Sequence, residues 1–198
     1  MQKPPFIGIA GNIGVGKSTL TERLAAALDL PAYFEPVDDN IYLSDFYQHP
    51  LRYGFEMQIY LLNRRFQQHQ EIIWGYEGGV QDRTIYEDQI FAQALADQGL
   101  MEQRAFETYE HLFDHMSNFM RLPTVIIYLE ASPETCLKRI RTRSRGVESG
   151  VDLTYLRHLS RRYEELMDRL DLLTNVVTID WEDFGSVDEV ITEIEPYL

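Results

Sequence analysis

Gly11, Gly16, Lys17 and Ser18 stand at the spacing G-x-x-x-x-G-K-[ST] within GNIGVGKST (11–19), directly after the apolar run FIGIA (6–10). A loop that turns several backbone N–H groups onto one anion needs residues without Cβ, because positive φ and close ligand approach are penalised elsewhere. The pattern carries its required context, a short buried strand before it and a helix after it, with apolar residues at Leu20, Leu24, Ala25 and Leu28. The helix start adds its free N–H groups and positive dipole end. Gly11, Asn12, Ile13, Gly14, Val15, Gly16, Lys17, Ser18 and Thr19 are therefore expected to cradle a nucleoside triphosphate such as ATP. Lys17 is placed to reach the outer phosphates, and the Ser18 hydroxyl to ligate Mg2+.

Phosphoryl transfer also needs an acceptor oxygen held in line, a metal, and positive charge around the moving group. Ligands of parallel α/β sheets sit beyond the carboxyl ends of the strands, which singles out Glu35 after the second expected strand and Asp82-Arg83 after the third. Both strands are expected to lie beside the phosphate loop. Glu35 suits proton acceptance from a hydroxyl, Arg83 suits a fork holding that hydroxyl and carboxylate, and Asp82 suits Mg2+ together with Ser18. Glu130, at the end of the fourth strand, reads as a solvated turn residue, because Ser132-Pro133 starts a helix unaided. Positive charge comes from KRIRTRSRG (138–146), where Lys138, Arg139, Arg141, Arg143 and Arg145 cluster in a chain with only 18 lysines and arginines. A solvated basic face is one reading of that run; a lid of about residues 138–152 that closes over triphosphate is the other, favoured by its arginine content and the following GVESG.

The elements that must position these residues follow from periodicity. Apolar runs at 6–10, 32–36, 80–83, 124–130 and 175–180 read as strands, with helical stretches between them. That order predicts an α/β fold, a five-stranded parallel sheet with helices on both faces and right-handed crossovers. FEMQIYLLNRRFQQHQEII is apolar at Phe55, Ile59, Leu62 and Phe66, an amphipathic helix, and a second long helical region runs from 88 to 121 with a break near Gly99. The 198 residues fit one domain without a linker. A formal charge of −14 argues against nucleic acid or an anionic membrane as a partner and leaves a small solute. The single Cys136 reads as a packed thiol, consistent with a reducing cytoplasm, and neither an export signal nor a membrane span is expected. Tyr109, Phe113, Met116, Phe119 and Met120 follow helical spacing as core or a subunit contact, and the five histidines form no zinc motif.

On these residues the sequence resembles the deoxynucleoside kinase family. The likeness rests on GNIGVGKST, the EPV at 35–37, FYQHP, MQIY, DRTIYED (82–88) and the arginine lid, and it extends to about Leu170. The resemblance implies a P-loop kinase fold, ATP as phosphate donor, Mg2+, transfer to the 5′-hydroxyl of a deoxynucleoside, and a homodimer. It implies Glu35 as general base supported by Arg83, Tyr47 and Glu148 on the sugar 3′-hydroxyl, Gln58 on the base edge and Phe91 stacked on the base. Arg139, Arg143 and Arg145 match the lid arginines. Asp82 stands where many animal members carry Glu, and Phe91 aligns only with a one-residue gap. Arg65 and Asp88 resemble the charged pair of members that accept purines, so deoxyadenosine or deoxyguanosine is the expected acceptor. Taken alone, Arg65 could be surface charge and Asp88 a helix cap. Two other readings stay open at this point: a nucleoside monophosphate kinase of the thymidylate kinase type, which shares the loop, a Glu-Pro and an Asp-Arg, and a non-enzymatic nucleotide switch. The uncharged Gln58 and Tyr47 weigh against the first, and the absence of a guanine-reading N-K-x-D weighs against the second.

Overall fold

Strand β1 (Phe6–Gly11) is buried along its whole length, which only a central strand covered on both faces can be. A computed structural model describes residues 4–35, 40–75, 77–143 and 150–198. β1 pairs with β3 (Gly79–Asp82) on one side and β4 (Val125–Glu130) on the other; β2 (Ala32–Tyr33) and β5 (Asn175–Asp180) take the edges. The five strands run in the order β2-β3-β1-β4-β5, all parallel.

Alternate residues of the strands feed two apolar layers. Ile126 and Tyr128 of β4 face α3 (Pro50–Trp74), α4 (Asp88–Asp97), α5 (Gln103–Ser117) and α7 (Leu153–Asp171), through Leu62, Ile90, Phe113 and Leu159. Val125, Ile127 and Leu129 face α1 (Lys17–Leu28), α6 (Pro133–Arg143) and α8 (Val187–Ile194), through Leu24, Ile140 and Val190. A short helix α2 (Leu43–Gln48) precedes α3. The expected α/β architecture is thus borne out, with helices on both faces.

Two details of β2 differ from the sequence reading. β2 contains two residues rather than five, because it pairs only through Ala32↔Val80 and Tyr33↔Gln81 at the sheet edge, and Phe34 already lies exposed. It does not flank β1; β3 stands between them, so of Glu35, Asp82 and Arg83 only the last two belong to a strand end beside β1. The stripe on α5 is split: Tyr109 and Phe113 are core, whereas Phe119, beyond the helix end, is 90% exposed. Glu130 is exposed and Ser132 caps α6, its hydroxyl accepting from Thr135 N–H at 3.1 Å, as expected. Cys136 is buried, which pushes its thiol up to about 11. Among the described residues no helix is long and apolar enough to cross a membrane, and no group of three or more His, Cys, Asp or Glu is arranged to hold a metal.

His69 of α3 is buried edge-on between Phe6 (centroids 5.1 Å) and Tyr86 (6.1 Å). Burial lowers its imidazole to about 4, against a smaller opposing effect of the Arg121 backbone. A base whose folded value lies below its unfolded one loses folding stability as pH falls from the unfolded value of about 6.5 toward the folded one. Urea titrations are expected to show that acidification from about pH 7 to about pH 5 costs the native protein about 2 kcal/mol more than it costs His69→Leu. Equal pH dependence of the two proteins would remove His69 from the account.

Candidate active site

The phosphate loop follows β1 because Gly14 and Gly16 adopt φ of +81° and +113°, where a side chain is strained. A Cβ at Gly14 would stand 2.6 Å from Ile140 Cγ1 and 2.7 Å from the Cys136 carbonyl, so α6 could not pack as it does. The remaining side chains of the loop brace it. Val15 is fully buried. Asn12 donates from Nδ2 to the Leu156 carbonyl and to Ser160 Oγ of α7, both at 2.9 Å, and accepts from the Ile13 N–H at 2.8 Å. Lys17 curls back, its ammonium donating to the Gly11 and Asn12 carbonyls at 2.9 and 3.0 Å. Burial, with Arg83 adding repulsion, lowers Lys17 to about 8.

Ser18, the second residue of α1, donates to Asp82 Oδ2 at 2.5 Å. Asp82 Oδ1 is buried and has no hydrogen-bond partner. A hydroxyl and a carboxylate side by side, with one carboxylate oxygen unspent, match the hard oxygen donors Mg2+ takes when water and phosphates fill its other positions. The pair expected to hold metal therefore fits that ion.

Glu35 lines a cavity of about 690 Å3 together with Lys17, Ser18, Asp82 and Arg83. Its Oε1 takes both cations, Arg65 Nη2 at 2.5 Å and Arg83 Nε at 3.3 Å; neither contact uses Oε2. Burial would raise this carboxyl, but Arg83, Arg65 and Lys17, with the Arg65 hydrogen bond, outweigh it and bring Glu35 to about 2. Arg65 is not surface charge. It is 1% exposed, and its Nη1 binds Asp88, which is wholly buried. Asp88 starts α4 yet lies behind Arg65 rather than in the cavity wall, so from there it acts on the cavity through the arginine.

Arg83 leaves β3 in the left-handed region, φ +66°, its N–H donating to the Ile9 carbonyl at 3.0 Å as if the ladder continued. For a residue with a Cβ that conformation costs about 1–2 kcal/mol. It turns the side chain inward, where the guanidinium lies 4.5 Å over the Phe91 ring. Gln58 of α3 is buried in the cavity wall with Oε1 unpartnered. Tyr47 of α2, half exposed, and Phe91 of α4 line the same cavity, as do Ile13, Gly14, Gly16 and Thr19 of the loop. Arg143, near the end of α6, reaches it too.

Arg139 does something other than expected. Its Nη1 donates to the Val15 carbonyl at 3.0 Å and its Nη2 to those of Trp181 (3.0 Å) and Glu182 (2.9 Å), with Phe184 stacked 4.0 Å away. A guanidinium beneath a loop takes the unpaired carbonyls it meets, so here it ties the phosphate loop to the β5–α8 turn and does not line the cavity. Arg145 and Glu148 lie outside the described residues.

Sequence reading missed Glu87 and Tyr163. Glu87 is fully buried, accepts from the Thr84 N–H at 2.8 Å and the Tyr163 hydroxyl at 2.9 Å, and stands 3.4 Å from Arg83 Nη1. Burial raises its carboxyl despite Arg83 and Lys17. The available signal was T-x-x-E at Thr84 and Glu87, a capping box spelled out in DRTIYED. Tyr163 gave only the helical spacing it shares with Leu156 and Leu159.

The geometry can be set beside known proteins. The family model for deoxynucleoside kinase matches residues 7–195. A deoxyadenosine kinase of Dictyostelium discoideum is 49% identical over 96% of this chain and 77% of its own length. A deoxyguanosine kinase of the same organism is 33% identical over 96% of this chain and 68% of its own. Among solved structures, deoxyadenosine kinase from M. mycoides with bound dATP superposes with a TM-score of 0.86 at 27% identity, covering 96% of this chain and 99% of that one. The same enzyme with bound dCTP gives 0.84 at 29%, covering 97% and 99%.

Lys17 is expected to make triphosphate binding pH-dependent. The ammonium form neutralises phosphate, and the free protein loses it as pH rises through about 8. Calorimetry is expected to find ATP binding about tenfold weaker at about pH 9 than at about pH 7, with proton uptake on binding, and no such slope in Lys17→Met. A flat wild-type profile would contradict this assignment.

Proposed function

The chain belongs to the deoxynucleoside kinase family and is a phosphotransferase acting on a deoxynucleoside; from that premise we propose ATP as donor, Mg2+ as cofactor and a purine deoxynucleoside, deoxyadenosine before deoxyguanosine, as acceptor. The observation that carries the reading is the single cavity shared by Glu35, Lys17 and Ser18. A carboxylate and an anion cradle that share one cavity are what a sugar hydroxyl meeting a terminal phosphate would need.

In the mechanism we propose, the N–H groups of the loop and Lys17 hold the triphosphate, with Arg143 and Arg145 closing from the lid. Ser18 and Asp82 would hold Mg2+, which would supply positive charge to the bound phosphates. Glu35 Oε2 accepts the hydrogen bond of the 5′-hydroxyl and takes its proton as the new P–O bond forms. Arg65 and Arg83 keep the Glu35 carboxylate ionised and aimed. Arg83 also stabilises the charge that develops on the transferring group. Tyr47 and Glu148 hold the sugar 3′-hydroxyl, Gln58 pairs with the base edge and Phe91 packs on the base, the roles that the resemblance implies. Arg65, ordered by Asp88, presents donors to the more polar edge of a purine. Preference for adenine is supported by the 49% identity to a deoxyadenosine kinase against 33% to a deoxyguanosine kinase.

We also propose a cytoplasmic homodimer. Trp74 and Phe119 are 66% and 90% exposed beside a groove lined by Phe66, Ile73, Met116 and Met120, between the carboxyl-terminal ends of α3 and α5. Exposed apolar surface of that kind is ordinarily covered, and a second copy fits the family.

A turnover panel with Mg2+ and ATP tests the reading. Deoxyadenosine is expected to give the highest kcat/KM among the four deoxynucleosides, at least about tenfold above thymidine, and their monophosphates no turnover. A monophosphate as the only good acceptor would transfer the chain's chemistry to the thymidylate kinase type. Glu35→Gln is expected to lower kcat by about 10²- to 10⁴-fold with ATP binding unchanged. Wild-type turnover in that variant would take Glu35 out of the reaction.

A further inference from the structure

We propose that Glu87 and Tyr163 are positioning residues for phosphoryl transfer, fixing the Arg83 guanidinium so that its Nε edge faces Glu35. The proposal rests on the role given to Arg83 above.

A guanidinium is planar, and it can turn about its long stem until more than one edge is held. The β3 turn fixes only the Arg83 backbone. Four contacts fix the rest: Nε against Glu35 Oε1 at 3.3 Å, one face over Phe91 at 4.5 Å, Nη1 donating to Glu87 Oε2 at 3.4 Å, and Nη1 donating to the Tyr163 hydroxyl. The last is a relay. Tyr163 accepts from Arg83 and donates its own O–H to Glu87 Oε2 at 2.9 Å, while Glu87 is held on its other oxygen by the Thr84 N–H at 2.8 Å. Donor and acceptor directions agree along the whole chain, so no member can turn without breaking a bond in a site closed to water.

Charge points the same way. Glu35 already lies against Arg83, so a second carboxylate with no exposed side-chain surface is more than neutralisation of one arginine requires. With Glu87 balancing the Nη1 edge, Glu35 needs only Oε1 for its arginines, and Oε2 stays available to a hydroxyl. Tyr163 adds a mechanical tie. It sits on α7, whose Leu156 carbonyl and Ser160 hydroxyl hold Asn12 of the phosphate loop. One helix thereby holds both the cradle and the arginine that lines the same cavity.

The test uses substitutions that preserve packing. Tyr163→Phe removes one oxygen, and Glu87→Gln keeps an Oε1 acceptor for Thr84 while removing the charge. Each is expected to lower kcat about ten- to a hundredfold, with the KM for ATP within about threefold and the thermal midpoint little moved. The double variant is expected to lose no more than the worse single one, because both act through one guanidinium. Arg83→Lys is expected to lower kcat by itself, and adding Tyr163→Phe to it to change kcat less than about twofold. Wild-type kcat in either single variant, additive losses, or an undiminished Tyr163→Phe effect in the Arg83→Lys background would overturn the proposal while leaving Arg83 its role. Wild-type kcat in Arg83→Lys would instead overturn that role, and the proposal with it. If Glu87→Gln does not fold, the Tyr163→Phe and Arg83→Lys cycle decides alone.

Discussion

Charge taken out of water must be paired, and that constraint organises this molecule. Lys17, Arg65, Arg83, Asp82, Glu87 and Asp88 are the buried Lys, Arg, Asp and Glu side chains among the described residues; four of them line one cavity with Glu35, while Asp88 and Glu87 back its arginines, Arg65 and Arg83. Leaving one buried ion without its partner costs about 3–5 kcal/mol, a large share of a domain's stability. Stability and site geometry are therefore hard to separate here. Arg65 shows it best: one guanidinium between Glu35 and Asp88 ties the loop after β2 to the start of α4 while it shapes a cavity wall.

The sheet makes that convergence possible. In a parallel sheet every strand delivers its carboxyl end to the same side, so β1, β2 and β3 bring the phosphate loop, Glu35 and Asp82-Arg83 together although 72 positions separate Gly11 from Arg83. β2 does this with two residues. What β2 lacks in ladder bonds α3 replaces: Gln68 donates to the Phe34 carbonyl at 2.7 Å, Gln81 of β3 donates to Gln68 at 3.3 Å, and Arg65 binds Glu35 one turn earlier. Glu35 is thus held from a helix more than from its own strand.

How much of this could be read beforehand follows from the range of each interaction. The phosphate loop was legible because its glycines answer a local backbone demand, and Gly14 and Gly16 do have positive φ. The five strands and α3 were legible from periodicity. Strand order was not, since β2 beside β3 rather than β1 is settled by packing far along the chain. The same limit hid the partners of Arg139, because the carbonyls of Trp181 and Glu182 lie more than forty positions away. Glu87 differs from these: its capping box was written in DRTIYED, but a box announces a helical turn and says nothing of the hydroxyl 76 positions on that completes its hydrogen bonds.

The depressed Glu35 carboxyl, at about 2, bears on how such a site would move a proton. An efficient base at neutral pH has a value nearer 7, and a carboxylate held by two arginines is a poor one. Phosphoryl transfer tolerates this, because its loose transition state asks little of the nucleophile until the P–O bond is well formed, when the hydroxyl has become strongly acidic. In the proposed mechanism the arginines would gain in orientation what they remove in basicity: they hold Oε1, would leave Oε2 to the hydroxyl, and keep the carboxylate ionised throughout the physiological range. In a reaction limited by alignment more than by proton affinity, that exchange favours turnover.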